Sequence, residues 1–393
     1  MKETKKLKRA AVLAASAVLA VSVLAGCSKT RMMFGTGGTA GTYYAYGGVL
    51  AQYMTNYAGA KVTAVSSGGS KVNIQSIQDG DFQLGFTQSD VCAYAWNGEK
   101  SFAKDGATHD FRVLGALYDE TVQLFSMDSD ITSVEDLRGK RVSIGEAGAG
   151  VYFNALDVLE AAGMTVDDIL PQYQSFDASK EALKDGMIDA AFIVAGAPTP
   201  AITELATTNG VSFVPIDGEL RDSLLADHPY YTAEDIPAGT YPGQTEDVGT
   251  ITVKATVIVS ANLSDDLVYK MTAAIFDHAD DIAAENAKGA ELSLEGATSI
   301  SAAPFHAGAA KYYAEHGITV EMLDPADDPL LNPDASGNTA ESSGNSGDAA
   351  KDAQEAETVT ADEADTETDV SIAEPVVESA EDSTAAAGKG GTK

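Results

Sequence analysis

Cysteine is almost missing from this chain: Cys27 and Cys92 are the only two in 393 residues. That excludes a fold stapled by several disulfides and any thiolate cluster for a metal. Histidine is nearly as scarce. His109, His228, His278, His306 and His316 are scattered and show no metal-ligand spacing. The chain has no G-x-S-x-G elbow, no H-E-x-x-H, and no glycine loop that runs on into Lys-Ser or Lys-Thr as a phosphate loop does. Only six arginines exist, none between Arg31 and Arg112, and no Asp or Glu occurs from residue 31 until Asp79. Nothing here has the residues of a catalytic centre. The reading is therefore no enzyme, no metal and no cofactor.

What is present begins with an export leader. Lys2, Lys5, Lys6, Lys8 and Arg9 precede an apolar run from Ala10 to about Ala25. That run is too short to span a bilayer comfortably, which takes roughly 20 residues, and suits a cleaved signal. It ends in Leu24-Ala25-Gly26-Cys27, which resembles a bacterial lipobox. Residues 1–26 read as a lipoprotein signal peptide, Cys27 as the lipidated mature N-terminus, and 27–31 as a linker. The expected location is extracytoplasmic, anchored by lipid to the bacterial cell membrane. Cys92 then has no disulfide partner, and beside Tyr94 and Trp96 it reads as a small buried residue.

The far end is different material. Residues 332–393 hold fifteen acidic and three basic side chains with no Phe, Tyr or Trp. Such a segment buries too little apolar surface to fold and reads as a disordered acidic tail. The leader contributes +4 and the tail −12 to a total of −34, which leaves −26 on residues 27–331. A body that acidic does not suit nucleic acid, whose phosphates require clustered Lys and Arg. About 300 residues remain to fold, enough for two ordinary domains.

Within the body, short apolar strands alternate with helical stretches. "RMMFGTG" leads into the helix "YYAYGGVLAQYMTNY", "AKVTAVSSGGS" into "KVNIQSIQDG", and "FQLGFTQSD" into "VCAYAWNG". The unit recurs at "KRVSIGEAGAGVYFNALDVLEAAG", "EALKDGMIDAAFIVAGAP" and "AITELATTNGVSFVPI". Alternation of this kind predicts βαβ units, a mostly parallel sheet, and ligand sites at the carboxyl ends of the strands. Residues 111–128 and 249–264 break the pattern as long extended stretches. They read as two crossings between lobes: 32–120 and 255–331 form lobe 1, and 121–254 form lobe 2.

Between residues 35 and 48 stand six glycines and three threonines. Gly35–Ala40 fits G-x-G-x-x-[GA], the dinucleotide fingerprint, but the acidic residue that binds the ribose about 20 positions on is missing. The remaining physics is that of a helix N-terminus, whose free amides and positive dipole end hold a carboxylate or phosphate without a charged side chain. Such a loop occurs twice, at Gly35–Thr42 and Gly145–Gly150. Facing each other across a cleft, they suit a small anionic or zwitterionic solute.

The blocks "GTGGTAGTYY", "SSGGSKVNIQSIQDG", "FTQSDVCAYAWNG", "LYDE", "SVEDLRGKRVSIGEAGAG", "LKDGMIDAAFIVAGAP", Tyr241-Pro242 and "HAGAAKYYAEHG" occur in order over about residues 32–320. Together they resemble the solute receptors of TRAP transporters, TAXI type. The resemblance implies an α/β, two-lobed type II periplasmic-binding-protein-like fold with two hinge-crossing strands. It implies a monomer that closes on a small solute, glutamate-like or another small carboxylate, and delivers it to TRAP-type permease subunits. By similarity the ligand face includes Thr36, Gly37, Thr39 and Tyr43, then Ser70 and Asn73, then Gln88, Ser89 and Asp90. Lobe 2 adds Gly148, Gly150, Tyr152, Ala197 and Pro198. Ala149 departs from the family, where serine is common, and that removes a hydroxyl donor. Two other classes stay open: a sensor of the same fold signalling to a membrane kinase, and a redox enzyme using the glycine loop.

Overall fold

The computed structural model describes residues 31–324 and residue 328. The leader, Cys27 and the acidic tail at 332–393 lie outside the described residues.

Chain order builds the first lobe from three βα units. They are β1 (Arg31–Gly35) with α1 (Thr42–Tyr57), β2 (Lys61–Val65) with α2 (Ser70–Gln78), and β3 (Leu84–Gln88) with α3 (Ser89–Asn97). Alternation along β1 sends Met32 and Phe34 inward and leaves Arg31 and Met33 outside, the period-two pattern of a strand. β3, with a neighbour on either side, is buried throughout. β1 pairs in parallel with both β2 and β3.

A 16-residue strand, β4 (Phe111–Ser126), then leaves this lobe, and almost every residue of it is buried. The second lobe follows: β5 (Arg141–Ser143), α4 (Gly150–Ala161), β6 (Leu170–Gln172), α5 (Phe176–Lys184), β7 (Ala190–Ala195) and α6 (Pro200–Thr208). Pro200 opens α6 at a position where its missing N–H costs nothing. Next come β8 (Ser212–Val214), α7 (Gly218–Asp227) and β9 (Thr232–Ile236). β10 (Val248–Ser260) returns the chain to the first lobe, which is completed by α8 (Asp265–Phe276), α9 (Ala279–Glu285), α10 (Leu294–Ala297) and α11 (Ala307–Glu315).

Strand order is β2-β1-β3-β10-β4-β7-β5-β6. β10 pairs with β3 through Ala255–Val259 and with β9 through Val248–Thr252, while the far half of β4 pairs with β7 through Thr121–Ser126. Each long strand therefore belongs to both lobes, as a type II periplasmic-binding-protein-like fold requires. The sheet is mixed and not mostly parallel, because the crossing strands run antiparallel to β3, β7, β8 and β9. Where β4 and β10 cross, the register slips: Ala255 faces Tyr118, but Thr256 faces Ala116. A bulge of this kind bends a strand locally, and it falls between the lobes.

The lobes have separate cores. Phe34, Tyr46, Leu50, Phe86, Phe111 and Tyr313 anchor the first. Val142, Ile144, Val158, Leu159, Phe192 and Ile251 anchor one face of the second, and Phe125, Ile193, Ile202 and Tyr241 the other.

Candidate functional site

A small cavity, partly open to solvent, lies between the lobes. Its walls are the loops at the carboxyl ends of the parallel strands. From the first lobe come Gly37, Gly38 and Gly41 before α1, Gly68 and Gly69 before α2, and Gln88 before α3. From the second come Glu146, Ala149 and Gly150 before α4, and Gln174, Ser175 and Phe176 before α5. Glu120, from the crossing strand β4, joins them.

Five helices thus begin at one cavity. Four carry no side-chain cap, because Gly41, Gly69, Gln88 and Ala149 at their N-caps offer no hydrogen bond to the first turn. Only α5 is capped, by Ser175 Oγ accepting from the Ala178 amide. At α1 and α4 the uncapped amides with the dipoles behind them make a region of positive potential without a cationic side chain, whereas α2 gives its Lys71 amide to the Gly148 carbonyl and α3 its Val91 amide to Asp90.

The lobes are closed on each other. Thr42 Oγ1 donates to the Gly196 carbonyl at 3.2 Å, Thr39 Oγ1 to Asp177 Oδ2 at 3.3 Å, and the Lys71 amide to the Gly148 carbonyl at 3.1 Å. Gly69 and Gly148 both hold positive φ, +90° and +91°, a conformation that favours glycine. At Gly150 a Cβ would run into the Gln88 amide from the other lobe.

Burial decides the electrostatics. Glu120 is 2% exposed, and desolvation pushes its carboxyl up to about 8, against a hydrogen bond from Tyr43 that favours the charged form. Tyr43 donates its hydroxyl to Glu120 Oε2 at 2.6 Å and stacks on Phe86 with ring centroids 4.6 Å apart. Behind the cavity, desolvation pushes buried Asp90 up to about 7.

A model of the NMT1-like family matches residues 34–317. The chain belongs to that family. Among solved structures, the periplasmic aliphatic sulphonate binding protein of Escherichia coli is similar at 18% identity, covering 74% of this chain and 91% of its own, with a TM-score of 0.40. The alkanesulfonate-binding protein of Xanthomonas axonopodis pv. citri, bound to MOPS, matches at 18% identity over 74% and 85%, TM-score 0.42. A putative L-cystine ABC transporter structure from Listeria monocytogenes matches at 17% identity over 67% and 98%, TM-score 0.42.

In this NMT1-like chain, Gly37, Tyr43, Gln88 and Gly150 stand on the cavity wall. The other expected ligand residues do not line it. Thr36 is fully buried and donates to the Val65 carbonyl at 2.6 Å. Asn73 Nδ2 donates to the carbonyls of Thr36 and Phe86 at 2.7 and 2.8 Å, tying strand ends together. Ser70 Oγ accepts from the Gln88 amide, and Ser89 Oγ from the Lys254 amide. Asp90 turns toward Asn154 and the Val91 amide. Each of these polar side chains is spent on the frame that holds the loops.

Thr39 lies in the outer groove with Glu146 and Asp177. Gly148 holds the Lys71 amide, and Tyr152 packs edge-on against Phe153 with centroids 5.0 Å apart. Ala197 and Pro198 follow a strand whose Val194 and Ala195 reach the wall instead. Glu120, Gln174, Phe176 and Glu146 line the cavity without having been expected. Glu120 had a readable signal, an acid in the middle of a long apolar strand that runs to burial; Gln174 and Phe176 had none.

Proposed function

We propose that the protein is an extracytoplasmic solute-binding receptor that closes its two lobes on a small carboxylate, glutamate-like in size, and hands it to a TRAP-type membrane permease. One observation carries this reading: uncapped helix starts from both lobes converge on one cavity, and among the described residues β4 and β10 are the strands shared by the two lobes. Carboxylates bind such starts through backbone amides. The separate cores let each lobe move as a body about the bulged crossing, which is hinge motion of the kind ligand closure uses. No bond needs to be made or broken. Capture, closure and release are the whole task, and the block-by-block resemblance to TAXI-type receptors supports the TRAP partner.

The test is mass spectrometry of small molecules released by denaturing the purified protein. A stoichiometric small acid or amino acid supports the reading. A nucleotide cofactor in its place refutes it.

A further inference from the structure

Within the receptor reading, on which this step rests, the cavity distinguishes among carboxylates. We propose that the solute carries an ammonium group as well as its carboxylate, and that Glu120 is the counter-ion of that ammonium.

Acceptors crowd the cavity and cations are missing from it. Glu120 is a carboxyl on a buried strand, with one oxygen held by the Tyr43 hydroxyl and the group still lining the cavity. Tyr118 is buried with its phenol beside that carboxyl, where it favours the charged form. Gln88 Oε1 and Gln174 Oε1 are also buried on this wall without a partner. A buried acceptor left unpaired is costly, and two of this sort on one wall with Glu120 call for a donor.

Among the described residues, no Lys or Arg lines the cavity or the groove outside it. Lys288 lies outside the lining, its ammonium on Glu291 at 2.5 Å and 5.8 Å from the centre of the Tyr118 ring. The outer groove instead carries Glu146 and Asp177, so an incoming solute meets negative side chains before it reaches Glu120. A solute with carboxylates alone brings no donor to these acceptors. A zwitterion resolves both ends at once: its carboxylate takes the uncapped helix amides, and its ammonium, with three donors, takes Glu120 and the glutamine oxygens.

The charge state adds a second readout. Burial raises the empty site's Glu120, with Asp90 adding repulsion, while Tyr43, Tyr118 and Lys288 pull the other way. Near pH 7 the free carboxyl is therefore largely protonated, and pairing with an ammonium expels that proton to the buffer.

Calorimetry on the purified full chain tests this with matched pairs that differ only in the amine: L-glutamate and glutarate, L-alanine and propionate, 5-aminovalerate and valerate. The amine-bearing member of at least one pair is expected to bind at least tenfold tighter than its partner, with proton release in buffers of different ionisation enthalpy. Glu120→Gln should lose that preference while unfolding at the same or a higher temperature, since it removes a buried acid, and Glu120→Asp should keep part of it. Equal binding within pairs, preference for the des-amino member, or an undiminished preference in Glu120→Gln overturns the inference and leaves the receptor reading standing. No binding by either member of any pair overturns both.

Discussion

Replacing Asp90 by Asn should abolish a pH dependence that is built into lobe closure. Asp90 is fully buried where α3 of the first lobe meets α4 of the second. Its Oδ2 accepts from Asn154 Nδ2 at 3.0 Å, and the same nitrogen donates to the Tyr231 hydroxyl at 2.9 Å. Tyr231 donates to Asp157 Oδ2 at 2.7 Å, and Lys100 reaches Asp157 Oδ1 from the first lobe at 2.9 Å. Burial moves Asp90 from its ordinary 3.8 to about 7, with the Asp157 charge adding to the rise. The folded protein thus binds more protons than the unfolded chain between those values. By linkage its stability falls as pH rises through that window and levels off above it.

At 1.36 kcal/mol per pH unit the full span is about 4 kcal/mol. Asn is neutral throughout and gives up a hydrogen bond to a charged acceptor, about 1.5 kcal/mol or somewhat more. The net gain at pH 8 is then about 2 kcal/mol, or roughly 4–8 °C in unfolding temperature for domains of this size. At pH 5 the wild-type carboxyl is already protonated and the gain should vanish or reverse. Circular dichroism melts of both proteins at pH 5 and pH 8 decide it. His306, which does not feel Asp90, is common to both proteins and drops out of the difference, while Glu120 loses the Asp90 repulsion in the variant and adds to the gain at high pH. An offset that stays constant across this range would refute the reasoning.

Three further outcomes are expected. Asn73→Ala removes two buried carbonyl clamps and should lower stability by about 2–4 kcal/mol in urea denaturation, at roughly 1–2 kcal/mol per clamp; a loss under ~0.5 kcal/mol would contradict the framing role given to this residue. Cys27→Ala should release the protein from the cell membrane into the medium, and equal membrane retention would defeat the lipid-anchor proposal. Deleting residues 332–393 should leave folding and solute affinity unchanged, whereas a tenfold loss of affinity would make the tail part of the site.

The two crossing strands were legible because 16 and 13 residues of mainly β-branched or apolar extended sequence have no place on a half-exposed surface. Their direction was not legible. A parallel sheet was the natural reading of the βα alternation, but strands that leave one lobe and return to it must run against their neighbours. The glycine loops serve more than one purpose. None of the six glycines between 35 and 48 is among those with positive φ. Gly35 instead clears the Asn73 amide and the Phe82 ring, and Gly47 clears Thr36 Cγ2, so these two serve packing.

Polar residues were the hardest to place. A hydroxyl at a loop–helix junction can face a solute or its own backbone, and Thr36, Ser70 and Ser89 all take the second course. Glu120 carries its own signal, since an acid within a buried strand is a sign of a site.

Solute-linked stabilisation tests the central claim most directly. Trp96 packs against His109, Phe111 and Arg112 inside the first lobe, so the unfolding temperature, and not tryptophan emission, is the observable. A solute held between the lobes at 100 times its Kd stabilises the folded state by about 2.7 kcal/mol, a rise of roughly 5–10 °C. L-glutamate or a similar small amino acid should produce that rise in the wild type and none when Gly41, whose Cβ would lie 3.3 Å from Phe176 of the other lobe, is replaced by Phe. NAD should produce none. A clear rise with a dinucleotide, and none across amino acids and small carboxylates, would contradict the account.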